Sequence, residues 1–296
     1  MAATTAPAAR REGLELITVN GVRIAYADTG GTAVPLVLVH GSWGSHHNWG
    51  PVVPGLAEHF RVLSYDRRGH SDSERPPGQG HFSEDVADLA ALIEQLGLAP
   101  ASVVGSSSGA VIALQLAAAR ADLLRGIVVH EPPLFGVLEE GSAEALAEAD
   151  LEAGPLAEVG RRIAAGDHAG AAELFVDQVA LGPGSWAALP DAMRAMMTCN
   201  ALTYLDELND PECVSVGESP LATYGGPALL TSGDQSPPIF APVERRLARL
   251  LPQARQVTYV GAGHIPHVTH PEAYVAEVVA FIQSAEANSD DHVDQG

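Results

Sequence analysis

The chain has 296 residues, is 46% hydrophobic and carries a formal net charge of -21, so it buries one large core, with room for an inserted subdomain, without needing disulfides or metals. The negative charge repels phosphate backbones and anionic lipid surfaces, which argues against nucleic-acid or membrane binding as the main task. All 16 basic side chains are arginines, so lysine Schiff-base and pyridoxal-phosphate chemistry is excluded.

The start, Met1 to Gly13, is rich in Ala and Thr and lacks the apolar run of a signal peptide or membrane span, which predicts a cytoplasmic protein. The only two cysteines, Cys199 and Cys213, fit a reducing compartment and make neither a disulfide framework nor a CxxC site. From Leu14 to Tyr26, two short alternating runs flank Asn20-Gly21, a hairpin signal. Apolar runs of buried-strand length follow at Leu36–Val39, Val62–Tyr65, Val103–Val104, Ile127–Val129, Ala228–Thr231 and Val257–Val260.

Helical periods separate several of these runs, as in Val86, Leu89, Ile93 and Leu96. The pattern predicts an α/β fold with a mostly parallel sheet flanked by helices. Its core is expected over residues 1–135 and 227–284, and Ala, Glu and Leu without β-branched runs predict an inserted helical cap over 136–226. The polar, acidic end, 285–296, is expected to be a flexible tail.

In such sheets the ligand crevice lies beyond the carboxyl ends of the strands. Polar residues directly follow each apolar run: His40-Gly41-Ser42, Asp66-Arg67, Gly105-Ser106-Ser107, His130-Glu131, Gly233-Asp234 and Gly263-His264. Gly105-Ser106-Ser107-Ser108-Gly109 fits G-x-S-x-G between a strand and an Ala-rich helix, which makes Ser107 the candidate nucleophile. A serine hydroxyl needs a base that can also return the proton, and His264, in a glycine loop near the carboxyl end, fits that role. The backbone N–H groups of Ser42 and Ser108 are the candidate oxyanion donors. His264, His267 and His270 have a spacing that suggests a metal, but Pro266 and Pro271 break the helix that would align them, so neither metal nor cofactor is expected. Asp66 to His70 reads as a structural loop with charge pairing.

The segments LVLVHGSW, YDRRGHSDS, GSSSG and GAGH together resemble the α/β-hydrolase superfamily over nearly the whole chain except the cap. That resemblance implies a Ser-His-acid triad with the acid commonly ending a G-x-x-D pattern after strand seven, where this sequence has Ser236. Asp234 can fill the gap if the loop shifts; Glu131, after strand six and fixed by Pro132 and Pro133, is favoured. GSSSGA, VVHEPP and GHIPHVTHPE resemble more narrowly the microbial lactonases that open zearalenone. This implies a post-strand-six glutamate and a cap tryptophan, here Trp186, against the substrate. Trp43 is a second candidate for the pocket wall.

The expected activity is hydrolysis of a carboxylic ester, with a zearalenone-like macrolactone the sharpest substrate. A cofactor-free perhydrolase or carbon-carbon bond hydrolase uses the same triad, and a non-catalytic receptor is the rival from another class. A serine at 107 excludes the alkyl-ester chemistry of epoxide hydrolases and haloalkane dehalogenases. The expected partner is a small-molecule ester or lactone, and a homo-oligomer is left open.

Overall fold

The structure is a computed structural model that describes the backbone of residues 13–293 and the side chains through 287. Eight strands form one sheet: β1 (Glu15–Val19), β2 (Val22–Asp28), β3 (Pro35–Val39), β4 (Arg61–Tyr65), β5 (Ala101–Ser106), β6 (Leu124–His130), β7 (Ala228–Gly233) and β8 (Arg255–Tyr259). Their spatial order is β1-β2-β4-β3-β5-β6-β7-β8. The opening hairpin turns at Asn20 and Gly21, with φ of 49° and 81°, the left-handed pair that a type I′ turn requires. β2 is antiparallel to β1 and β4, and all pairs from β4 to β8 are parallel.

The strands alternate between two apolar layers, which is why they read as continuous apolar runs. Val37, Val39 and Val103 join the layer formed with helices Phe82–Gln95 and Ser108–Ala119, whereas Leu36, Leu38 and Val104 pack against Tyr274, Val278 and Ile282 of the last helix. Covering both faces leaves the carboxyl ends of the strands as the open side of the sheet.

Among the described residues, every regular element between β6 and β7 is helical. This insertion has its own cluster, in which Val159, Ile163, Val176 and Tyr204 gather with Trp43 from the loop after β3. Two sequence expectations need correction. The last strand stops at Tyr259, and Val260 is exposed. The segment from 285 onward, expected as a flexible tail, continues the helix Pro271–Val293, because Ala285, Glu286 and Ala287 are good helix formers and adding residues to an existing helix costs no new nucleus. Residues 294–296 of that tail and most of the Ala-rich start lie outside the described residues. No helix is long and apolar enough to cross a membrane among the described residues.

Glycine is required where β5 turns into its helix. A Cβ on Gly105 would lie 2.3 Å from the Gly109 carbonyl oxygen, and one on Gly109 would lie 2.2 Å from that of Val39. Gly109→Ala is therefore expected to lose about 3 kcal/mol or more of stability, read as a lower denaturant midpoint, because backbone atoms must move to admit the methyl.

Candidate active site

Ser107 sits between β5 and the helix Ser108–Ala119 with φ 55° and ψ -125°, a strained conformation for a residue with a side chain. Its N–H donates to the His130 carbonyl at 2.8 Å, which ties the turn to β6. The Ser107 hydroxyl has no hydrogen-bond partner among the described residues, and it faces the same two cavity lobes as the His264 ring.

Glu131 follows β6 with φ 43°, and its N–H donates to the Thr231 carbonyl of β7 at 3.3 Å. Its carboxylate is 1% exposed and both oxygens are committed. Oε1 accepts from the Gly233 N–H at 2.8 Å, and Oε2 lies 2.6 Å from His264 Nδ1. Burial pushes the carboxyl up, but the His264 hydrogen bond, the neighbouring imidazoles and the Gly233 N–H outweigh it and hold the group at about 2. Phe240, from the helix after β7, stacks on the His264 ring at 4.5 Å between centroids and 12° between planes. Two contacts therefore fix the imidazole: the carboxylate fixes its edge, and the phenyl ring its plane.

Asp234, the alternative acid, is exposed and accepts from the Gly261 N–H at 2.8 Å and from Gln235 at 3.1 Å. It braces the histidine loop and does not touch the imidazole. The Ser236 hydroxyl is buried without a partner.

The histidines of the H-x-x-H-x-x-H run are not gathered. His267 packs against Trp49 with ring centroids 4.7 Å apart and planes tilted by 37°, and His270 bonds Thr269. Among the described residues the one group spaced for metal ligation is His130, Glu131 and His264, with ligand atoms within 4.8 Å of one another. Burial holds the His130 imidazole down at about 4, and its Nδ1 bonds Thr231 Oγ1 at 3.0 Å. Glu131 and His264 already satisfy each other, so a cation there would have to break their bond.

The loop after β3 is pinned by His40. Its Nδ1–H donates to the Gly41 carbonyl at 2.8 Å and its Nε2 accepts from the Arg67 N–H at 3.0 Å. Burial and the Arg67 charge hold this imidazole down at about 3, which keeps it neutral as those roles require. The backbone N–H groups of Ser42 and Ser108 have no acceptor among the described residues, so both remain available to a ligand.

Arg67 belongs to the site's framework more closely than the loop pattern suggested. It pairs with Asp85 through Nε and Nη2 at 3.2 and 2.9 Å, and its Nη1 reaches Ser108 Oγ at 3.1 Å and Glu207 Oε1 at 3.0 Å. Glu207 is a cap residue that the sequence reading did not single out. The available signal was Asn200, Thr203 and Glu207 at helical spacing, a polar line on a helix that carries Ala201, Tyr204 and Leu208.

The cavity has two lobes that meet at Ser42, Ser107 and His264. The smaller, about 90 Å³, is lined by Trp43, Phe175, Leu189 and three methionines, Met193, Met196 and Met197. Trp43 is fully buried there, stacked on Tyr204 at 4.7 Å. The larger, about 440 Å³, has apolar walls from Phe135, Leu151, Leu156 and Ile239 and carries Glu148, Glu152, Glu207 and Asp210, with no arginine in its lining. Trp186 lines neither lobe. Its backbone N–H donates to Asp177 and its ring packs against the cap cluster, so it is not part of the walls of these two lobes.

An open parallel sheet with a left-handed serine turn after β5 and a carboxylate-imidazole pair beside it defines the hydrolase class. The chain belongs to the α/β-hydrolase family, whose model matches residues 36–278. It is 35% identical over 125 residues to a soluble epoxide hydrolase of Corynebacterium sp. (strain C12), covering 42% of this chain and 43% of that protein's length. It is 26% identical over 262 residues to the mouse (Mus musculus) sn-1-specific diacylglycerol lipase ABHD11, covering 86% of this chain and 83% of that one. The crystal structure of esterase RhEst1 from Rhodococcus sp. ECU1013 superposes with a TM-score of 0.69 at 25% identity, covering 92% of this chain and 99% of the esterase.

Arg67→Ala would leave Asp85 and Glu207 buried without their cation. The expected loss is about 3–5 kcal/mol of unfolding free energy, measured by chemical denaturation; a loss below about 1 kcal/mol, the range of an exposed ion pair, would contradict the pairing.

Proposed function

We propose that this hydrolase cleaves uncharged carboxylic esters through an acyl-enzyme on Ser107, with His264 as base and Glu131 as the orienting acid. The observation that carries the reading is the 2.6 Å contact of Glu131 with His264 Nδ1. With Nδ1–H committed to the carboxylate, Nε2 is the ring nitrogen left for the serine. The Ser107 hydroxyl attacks the ester carbon as Nε2 takes its proton. The Ser42 and Ser108 N–H groups receive the oxyanion, and the imidazolium returns the proton to the departing alkoxide. Water repeats the sequence on the acyl-enzyme.

The cavity narrows the substrate class. Two apolar lobes meeting at the serine suit a substrate with carbon chains on both sides of the ester, and the larger falls within the ~300–1,000 Å³ range of small-molecule sites. Glu148 and Glu152, which have no cation partner among the described residues, disfavour anions in the larger lobe, whereas Glu207 there is paired with Arg67. Within the class a lactone is the favoured substrate, and among lactones a zearalenone-like macrolactone. A macrocycle places both ends of its ester bond in one continuous ring, a shape that supports binding across both lobes at Ser107. The lipase and esterase names of two relatives agree with ester hydrolysis, and Ser107 stands against the alkyl-ester route available to an epoxide hydrolase.

A panel of neutral p-nitrophenyl esters, matched esters bearing a terminal carboxylate, and lactones including zearalenone tests the reading. Neutral substrates are expected to turn over at least about tenfold faster in kcat/KM than their anionic counterparts, since burying an unpaired anion beside carboxylates costs more than 1.4 kcal/mol. Glu131→Gln is expected to lower kcat by about 10³–10⁴-fold, against about tenfold or less for Asp234→Asn, which only loosens a loop. The opposite ordering would move the acid to Asp234.

A further inference from the structure

The cap helix Ala201–Leu208 meets the core along a buried polar edge. Asn200, just before it, donates to the Gly44 carbonyl at 2.8 Å and accepts from the Ser71 N–H at 2.8 Å, and Thr203 Oγ1 lies 2.9 Å from His70 Nε2. Glu207, one turn further on, touches Ser42 directly and reaches Ser108 only through Arg67 and Ser42. Its Oε2 lies 2.5 Å from Ser42 Oγ, and its Oε1 3.0 Å from Arg67 Nη1. The Ser42 and Ser108 hydroxyls are 3.1 Å apart, and Arg67 Nη1 is 3.1 Å from Ser108 Oγ.

Counting hydrogens gives these contacts one direction. Ser42 has a single hydroxyl hydrogen, and the Glu207 carboxylate takes it. The Ser42-Ser108 bond is therefore donated by Ser108, whose oxygen accepts from Arg67. The second hydrogen on Arg67 Nη1 goes to Glu207, and the ring closes with every member satisfied. Nothing else in the described structure joins the side chains of residues 42 and 108.

We propose that Glu207 is a positioning residue for the oxyanion hole, a carboxylate supplied by the cap that sets the separation of the Ser42 and Ser108 N–H groups. The proposal rests on the reading of Ser107 as nucleophile. It makes catalysis depend on cap docking, because a cap lifted by one helical turn takes away the acceptor that holds Ser42. Glu207 touches no reacting atom in this scheme; it acts through the position of the two donors.

The test is a double-mutant cycle with Glu207→Ala and Ser42→Ala, the second of which keeps the backbone N–H and removes only the link. For a small neutral p-nitrophenyl ester each variant is expected to lower kcat by about 10- to 100-fold while KM moves by less than about threefold. Inhibition by phenylboronic acid, which forms a tetrahedral adduct on a nucleophilic serine, should weaken by the same factor as kcat. The double variant should be no slower than the slower single one. Ser42→Ala removes no charge, so it carries the test alone if Glu207→Ala fails to fold. Wild-type kcat in folded Ser42→Ala, a change confined to KM, or losses that multiply in the double variant would overturn the proposal. A wild-type protein that neither turns over the ester nor binds the boronic acid would instead remove the serine reading, and this proposal with it.

Discussion

The site depends on one hydrogen bond, the 2.6 Å contact between the Glu131 carboxylate and the His264 imidazole. It joins the end of β6 to a loop that arrives more than 130 residues later in the chain. The Gly233 N–H on the other carboxylate oxygen ties the end of β7 into the same junction. A buried carboxylate is costly unless it is paired, and this one is satisfied twice. The left-handed backbone at Glu131 is the local cost of bringing the side chain across.

A second buried charge group complements the first on the other side of Ser107. Arg67, Asp85 and Glu207 tie together the loop after β4, the helix Phe82–Gln95 and the cap, and through Ser42 and Ser108 they reach the two N–H groups that flank the nucleophile turn. One group orients the His264 imidazole, the proposed base, and the other frames the two N–H groups proposed to receive the oxyanion. Removing either partner of such a pair leaves the other unpaired inside the protein, so the two clusters hold the site rigid as well as charged.

Much of this was legible in the residues. Buried parallel strands write themselves as short apolar runs, and Ser42, Ser107 and His264, where the two lobes meet, each lie in the segment that follows one of those runs. Ser107 was legible because the flanking glycines are compelled by backbone approach, and Glu131 because the usual acid position after β7 is a serine. Other features were not legible, each for a physical reason. Phe240 and Glu207 act through tertiary stacking and docking, which helical periodicity cannot orient relative to another element. The place of Trp186 is not legible because a tryptophan packs equally well in a cap interior or a pocket wall, and only the fold of the insertion packs it against the cap cluster. The acidic end carries no apolar stripe, yet it propagates a helix already nucleated and packed upstream.

The central claim is that the Ser107 hydroxyl is a nucleophile activated by His264, and reaction with a fluorophosphonate tests it most directly. Intact protein treated with the probe and mapped by peptide mass spectrometry is expected to carry one adduct on Ser107, absent in Ser107→Ala and formed far more slowly in His264→Ala. Folded protein that leaves Ser107 unmodified, or an adduct rate indifferent to His264, would contradict the account.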